Sequence, residues 1–142
     1  MTPAPEVAVG AVAVRDRELL LIRRGHGPAA GRWSVPGGRV NFGEDLRAAV
    51  VRELLEETAL EGVVTRFIGW VERLGTDPLP HHFVILDFEV DIFDDGDPIP
   101  GDDATEARWV PLDDLSDLAL VDGLHEFLGE HGLLNGPQKE QR

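Results

Sequence analysis

The run Gly38–Leu60, GRVNFGEDLRAAVVRELLEETAL, holds the first clear helix of the chain and its most informative acids. The spacing predicts a helix over 45–58: Gly43 precedes it, Glu44 and Asp45 sit at its positive end, and no Pro or Gly interrupts it. At 3.6 residues per turn, Glu53, Glu56 and Glu57 fall within roughly 100° of arc. Ala48, Val50, Val51, Leu54 and Leu55 fill much of the other side, so the helix is expected to pack on a sheet and point three carboxylates into one space. Ala49 lies among those acids and leaves room beside them. Two of the acids, Glu56 and Glu57, occupy the last turn, where the helix dipole favours cations. Like charges three and four residues apart also repel, and Arg52 can neutralise only one of them across a turn. This geometry leaves two readings open, a hard divalent cation taking carboxylate oxygens or a solvated acidic face.

Working outward, Val7–Val14 (VAVGAVAV) reads as a buried strand. Arg15-Asp16-Arg17 is a polar turn, and Glu18–Arg23 reads as the partner strand of a hairpin. After the loop Gly25–Gly31, Trp33–Val35 is a short extended piece stopped by Pro36-Gly37-Gly38. Beyond the helix come β-rich stretches near Val63–Leu74 and His82–Phe93, the second apolar enough for a central strand. An acidic loop over 94–103, a short strand Ala107–Val110 and a closing helix Val121–His131 complete the chain. Hairpins mixed with helices imply an α/β fold with a mixed sheet.

The 142 residues fit one domain, expected over 6–134 with flexible termini at 1–5 and 135–142. The absence of cysteine rules out disulfides, thiolate metal sites and a thiol nucleophile. The N-terminus does not read as a signal peptide, and no apolar run approaches a membrane span, so a cytoplasmic protein is expected. Against 27 acids there are only 13 Lys and Arg, a formal charge of −14 that repels nucleic-acid polymers and anionic membranes. An anionic substrate would need the field reversed locally, for which bound divalent metal is the obvious candidate. Solubility alone is the plainer account of most of the acids.

The segment Gly38–Leu60 resembles the signature of the Nudix hydrolases: Gly38, five residues, Glu44, seven residues, Arg52-Glu53, an apolar residue, any residue, Glu56-Glu57. The single departure is Ala59, where the family usually has Gly. The lead-in GRWSVPGG and the late segment ARWVPLDDL agree with the resemblance, which covers most of residues 7–130. It implies an α/β/α sandwich around a mixed sheet and hydrolysis of a pyrophosphate linkage in a small nucleotide-derived substrate. It further implies that the Gly38 carbonyl and the carboxylates of Glu53, Glu56 and Glu57 hold Mg²⁺ or Mn²⁺, with Arg52 orienting the acids and Glu44 supporting them. A general base is expected among the helix acids or on the loop 101–106, in the order Asp103, Glu106, Asp102. HHFVILDFEV and GDDATEARWVPLDDL look most like the ADP-ribose pyrophosphatase branch. A MutT-like (8-oxo-)dGTP or nucleoside triphosphate pyrophosphohydrolase is the alternative, followed by a non-catalytic nucleotide sensor of the same fold. Many relatives dimerise, which leaves a homodimer open.

Outside the signature, Arg23, Arg24 and Arg39 are candidates for phosphate contact, each against ordinary surface pairing. Trp33 is a candidate for stacking on a base or sugar, and equally for the core. His82, with His81 beside it, is a candidate ligand residue, although a lone His is more often structural.

Overall fold

The computed structural model describes residues 3–77, 79–101 and 103–135. Asp102 and residues 136–142 of the expected tail lie outside the described residues. In chain order the elements are β1 (Glu6–Val12), β2 (Val14–Arg15), β3 (Glu18–Arg24), β4 (Trp33–Ser34), β5 (Gly37–Arg39), α1 (Leu46–Thr58), β6 (Gly62–Gly75), β7 (His81–Ile92), β8 (Ala104–Pro111), a 3₁₀ turn (Leu112–Asp117) and α2 (Leu124–Glu130).

They form two sheets. The first has the order β5-β1-β7-β6, with β1 parallel to β7 and the other pairs antiparallel. The second is built on β3, which pairs antiparallel with β2, β4 and β8. The fold is therefore mixed α/β with a mixed sheet, as expected.

The expected hairpin between Val7–Val14 and Glu18–Arg23 needs correcting. Val14 and Arg15 pair back opposite Leu19 and Glu18, around a two-residue turn at Asp16-Arg17 with φ of 53° and 62°, and Ala13 O takes one further bond from Leu20 N–H at 3.0 Å. Positive φ at both central residues matches the twist of a tight hairpin. The rest of the apolar run leaves the hairpin and becomes an inner strand of the first sheet. A strand apolar on both faces is what a sheet covered on both sides requires. Pro36-Gly37-Gly38 also differs from expectation, because Gly37–Arg39 is strand β5, paired with β1 through Gly37↔Gly10, Gly38↔Val9 and Arg39↔Ala8.

Side-chain alternation along the inner strands feeds two cores. Leu20 joins Val9, Ala11, Ala13, Val64, Phe88 and Val90 under Ala49, Val50 and Leu54 of α1. Leu19 and Leu21 join Val12, Val110, Leu115 and Val121 under Leu124, Phe127 and Leu128 of α2. Fully burying each such aliphatic side chain contributes on the order of 2 kcal/mol. One helix thus lies on each side of the strands.

Helix α1 begins at Asp45, whose carboxylate accepts from the Ala48 N–H at 2.9 Å. It ends at Ala59, with φ 62° and ψ 16°, whose N–H donates to Leu55 O at 2.9 Å. The left-handed cap is kept although the residue is not glycine. An L side chain there costs roughly 1 kcal/mol. Ala59→Gly is accordingly expected to raise the thermal midpoint by a few degrees without changing the site; a lowered midpoint in a melting experiment would contradict this. The buried face of α1 is also turned from the one expected. Leu55 and Ala48 are exposed, whereas Ala49, Val50, Leu54, Glu57 and Thr58 are buried. Two signature acids therefore lie toward the protein rather than away from it.

Candidate active site

The inward turn of α1 is possible because it faces β5 where two glycines succeed each other. Gly37 N–H donates to Glu57 Oε1 at 2.8 Å, and a Cβ on Gly38 would lie 2.5 Å from the Glu53 carboxyl carbon. Any side chain at 38 would displace that carboxylate. Gly101 has a similar constraint on the far side, since a Cβ there would collide with Glu56 O and so hold the acidic loop away from the helix end. The helix acids differ in burial: Glu57 is only 8% exposed, Glu53 is partly buried, and the Glu56 side chain is 57% exposed.

Arg52 ties the cluster together. Its guanidinium grips Glu44 through Nε at 2.7 Å and Nη2 at 2.9 Å, and donates through Nη1 to Glu53 at 2.9 Å and Glu56 at 3.2 Å. It also reaches Arg39 O at 2.9 Å. This uses the planar fork that distinguishes Arg from Lys. Hydrogen bonds from Arg52 and the Asn41 N–H hold the Glu44 carboxyl well below its ordinary range, at about 2. Burial pushes Glu57 the other way, up to about 7, with Glu53 and Asp103 adding to the repulsion and the Gly37 bond opposing it. Burial likewise raises Glu53 against the pull of Arg52.

These acids border a cleft of about 570 Å³ between the two sheets. Gly37, Gly38, Glu53, Glu57 and Asp103 line its acidic side. Arg24, Arg39, Arg73 and His26 supply the basic groups, and Val35, Val71, Phe83, Ile85 and Leu124 supply apolar wall. Within an acidic protein, this is a local gathering of Arg around a carboxylate cluster.

Of the other residues singled out in the sequence, Asp103 faces the cleft, 73% exposed and 3.1 Å from His26 Nε2. Glu106 does not, for it is the cross-strand partner of Arg23 and pairs with it at 3.3 Å. The same pairing, with a bond from Arg23 Nε to Gly31 O at 3.1 Å, holds Arg23 outside the cleft lining. Arg24 enters the cleft, steadied by Pro28 O at 3.0 Å. Arg39 borders it, paired with Glu6 at 2.7 Å. Trp33 is buried in the core, with Arg108 stacked 4.7 Å over its ring, and does not line the cleft. His82 points to Glu72 at 3.0 Å, whereas His81 lines the cleft. His26, Arg73 and Asp87 are cleft residues that sequence reading missed. Asp87 carried a signal, an acid inside the otherwise apolar run Phe83–Phe88.

The donor set suits a hard divalent cation: carboxylates, half-desolvated and mutually repelling, with no His or Cys among them. Among the described residues, no three acidic or His side chains converge on one point as they stand. Arg52 and the Gly37 N–H hold the carboxylates instead, so a cation would have to compete for them.

The NUDIX domain model matches residues 4–129. The chain belongs to the Nudix hydrolase family. It is 39% identical over 115 residues to an ADP-ribose pyrophosphatase from Methanocaldococcus jannaschii, covering 81% of this chain and 67% of that protein. A CMP-5'-(N-acetyl-N-hydroxy-3-aminopropyl)phosphonate hydrolase from Streptomyces rubellomurinus is 32% identical over 105 residues, covering 73% of this chain but half of that protein. Among solved structures, a MutT NUDIX hydrolase from Burkholderia pseudomallei superposes with a TM-score of 0.79 at 30% identity, covering 89% of this chain and 98% of that one. The chain is a Nudix pyrophosphohydrolase, an enzyme class that acts on small nucleotide substrates and generally depends on divalent metal. No helix among the described residues is long and apolar enough to cross a membrane.

Proposed function

We propose that the domain over residues 6–134 hydrolyses the pyrophosphate linkage of a nucleoside diphosphate joined to a second group, with ADP-ribose or a related nucleotide sugar as the favoured substrate. The observation that carries this reading is the placement of Glu53 and Glu57 against Gly37-Gly38 at the edge of a cleft that also holds Arg24 and Arg73. The M. jannaschii relative supports the ADP-ribose branch.

The Gly38 carbonyl and the carboxylates of Glu53, Glu56 and Glu57 would hold Mg²⁺ or Mn²⁺. When bound, the ion supplies charge against the phosphates and makes an attacking water more acidic. Arg52 orients Glu53 and Glu56 through its bonds to both, and Glu44 fixes Arg52 from the other side. Arg24, and Arg39 if released from Glu6, meet phosphate oxygens at the cleft. Water adds to one phosphorus, the bridging P–O bond breaks, and the leaving phosphate takes the electron pair. The proton lost from water passes to an acid, for which Asp103 is placed beside the cleft and Glu106 is turned to Arg23.

Product analysis with millimolar Mg²⁺ on ADP-ribose, NADH, GDP-mannose, dGTP and 8-oxo-dGTP tests the reading. AMP and ribose 5-phosphate from ADP-ribose are expected. Pyrophosphate from the triphosphates as the dominant product would favour the MutT-like alternative, which the B. pseudomallei likeness supports. Tight binding without turnover would point to a sensor.

A further inference from the structure

One row of residues crosses the first sheet: Gly37 on β5, Gly10 on β1, Asp87 on β7 and Gly69 on β6 are register partners in turn. Directly opposed residues in a ladder project to the same side. Asp87 therefore carries the single side chain of a four-strand row. Its carboxylate leans over Gly10, where a Cβ would collide with Oδ1 and crowd the Val35 side chain at 3.2 Å. The residue is 5% exposed, and Oδ1 has no hydrogen-bond partner among the described residues. A buried carboxylate oxygen left unpaired is costly and calls for an account. Arg73 gives it only distant charge, since its own bond goes to Asp122 O at 2.8 Å.

Asp87 nevertheless lines the cleft, whose wall also includes Val35, Val71, Ile85 and Leu124. It lies two inter-strand spacings, roughly 10 Å, from Gly37 at the acidic edge. If phosphates sit at that edge, the half of the substrate beyond them enters the rest of the cleft and meets the unpaired Asp87 oxygen there. We propose that Asp87 is a specificity-determining residue that accepts a hydrogen bond from an N–H or O–H donor on the non-phosphate half of the substrate, a nucleobase edge or a sugar hydroxyl. This rests on the nucleotide-hydrolase reading. A site built around a buried polar group rejects ligands that leave it unpaired far better than an apolar pocket rejects a near-isostere.

The test uses ligand pairs that differ by one donor: GDP-mannose against IDP-mannose for the base, and ADP-ribose against its 2'-deoxyadenosine counterpart for the sugar. Wild type, Asp87→Asn and Asp87→Leu are compared by kcat/KM and by calorimetric binding of GMP, IMP, AMP and dAMP. Wild type is expected to favour the donor-bearing member of one pair by about 10- to 100-fold, and Asp87→Leu to favour neither while melting no lower than wild type. The pair that discriminates identifies the donor. Equal discrimination in wild type and Asp87→Leu, or a marked loss of stability in both variants, would overturn the proposal and make Asp87 a structural partner of Arg73. Failure of wild type to hydrolyse any of these ligands would defeat the hydrolase reading, and the calorimetric preference would still decide the role of Asp87.

Discussion

Glu57→Gln is expected to melt no lower than the parent protein and to lose about 10²- to 10⁴-fold in kcat/KM. The two effects separate because Glu57 does two things. Its Oε1 receives the Gly37 N–H at 2.8 Å, and a glutamine carbonyl can receive the same bond. Its charge is desolvated and opposed by Glu53 and Asp103, so the fold gains by losing it. The proposed cation site depends on that charge and is deprived of it. Glu57→Ala provides the contrast, since it leaves the Gly37 N–H without its partner and is expected to destabilise the protein by roughly 1–3 kcal/mol. Steady-state kinetics beside thermal unfolding of both variants decides the matter. A Gln variant with full turnover would remove Glu57 from the chemistry altogether.

The second large effect concerns pH and metal together. In chelator, stability is expected to fall as pH rises from about 5 to about 8. Glu57 is raised from 4.5 to about 7 and Asp87 from 3.8 to about 7, both by burial. A carboxyl raised on folding contributes stability that is complete below its ordinary pKa and is lost as pH climbs through the folded one. Glu44 has the opposite sign. Held at about 2 by Arg52 and Asn41, it stabilises above its ordinary 4.5 and loses that contribution as pH falls toward 2. The metal-free protein should therefore be most stable in mild acid, between these windows. By binding Glu57 and its neighbours, Mg²⁺ should offset the Glu57 share of the loss at alkaline pH, where the acids are ionised, stabilising by about 2.7 kcal/mol at a hundredfold excess over Kd and far less in mild acid. Differential scanning fluorimetry across pH, with and without the ion, measures both halves. A midpoint that is flat with pH, or one that Mg²⁺ leaves untouched at about pH 8, would speak against buried acids waiting for a cation.

How much of this was legible in the sequence depended on locality. Helix α1 could be placed to within a residue because cap, period and absence of breakers all lie within one stretch, 43–58. The acids on one arc were legible for the same reason. Their burial was not, because it depends on Gly37 and Gly38 being a strand beside the helix, and that strand exists through pairing with β1. Trp33 and Arg23 illustrate the same limit. Each is a plausible ligand-contacting residue by type, but Trp33 is taken by Arg108 and Arg23 by Glu106, both some 80 residues away in the chain. Arg73 and Asp87 enter the cleft only because β7 stands beside β1 and β6 beside β7. Within an apolar strand a single acid was visible, and asking where its charge would go could have marked it.

The route of β1 has a consequence for how the molecule comes into being. All seven of its residues pair with β7 near position 85 and three of them also pair with β5, whereas only two residues beyond it, β2, close a local turn with β3. Contacts that span so much chain carry a loop-closure cost before they return anything, and they slow folding. The β6–β7 hairpin, by contrast, is local and can form early. During synthesis the segment Val7–Val14, uncharged and rich in small β-formers, must leave its β7 side unpaired until residue 90 or so has emerged. That interval is when the chain is most exposed to misassociation, and its net charge of −14 works against contact between neighbouring copies.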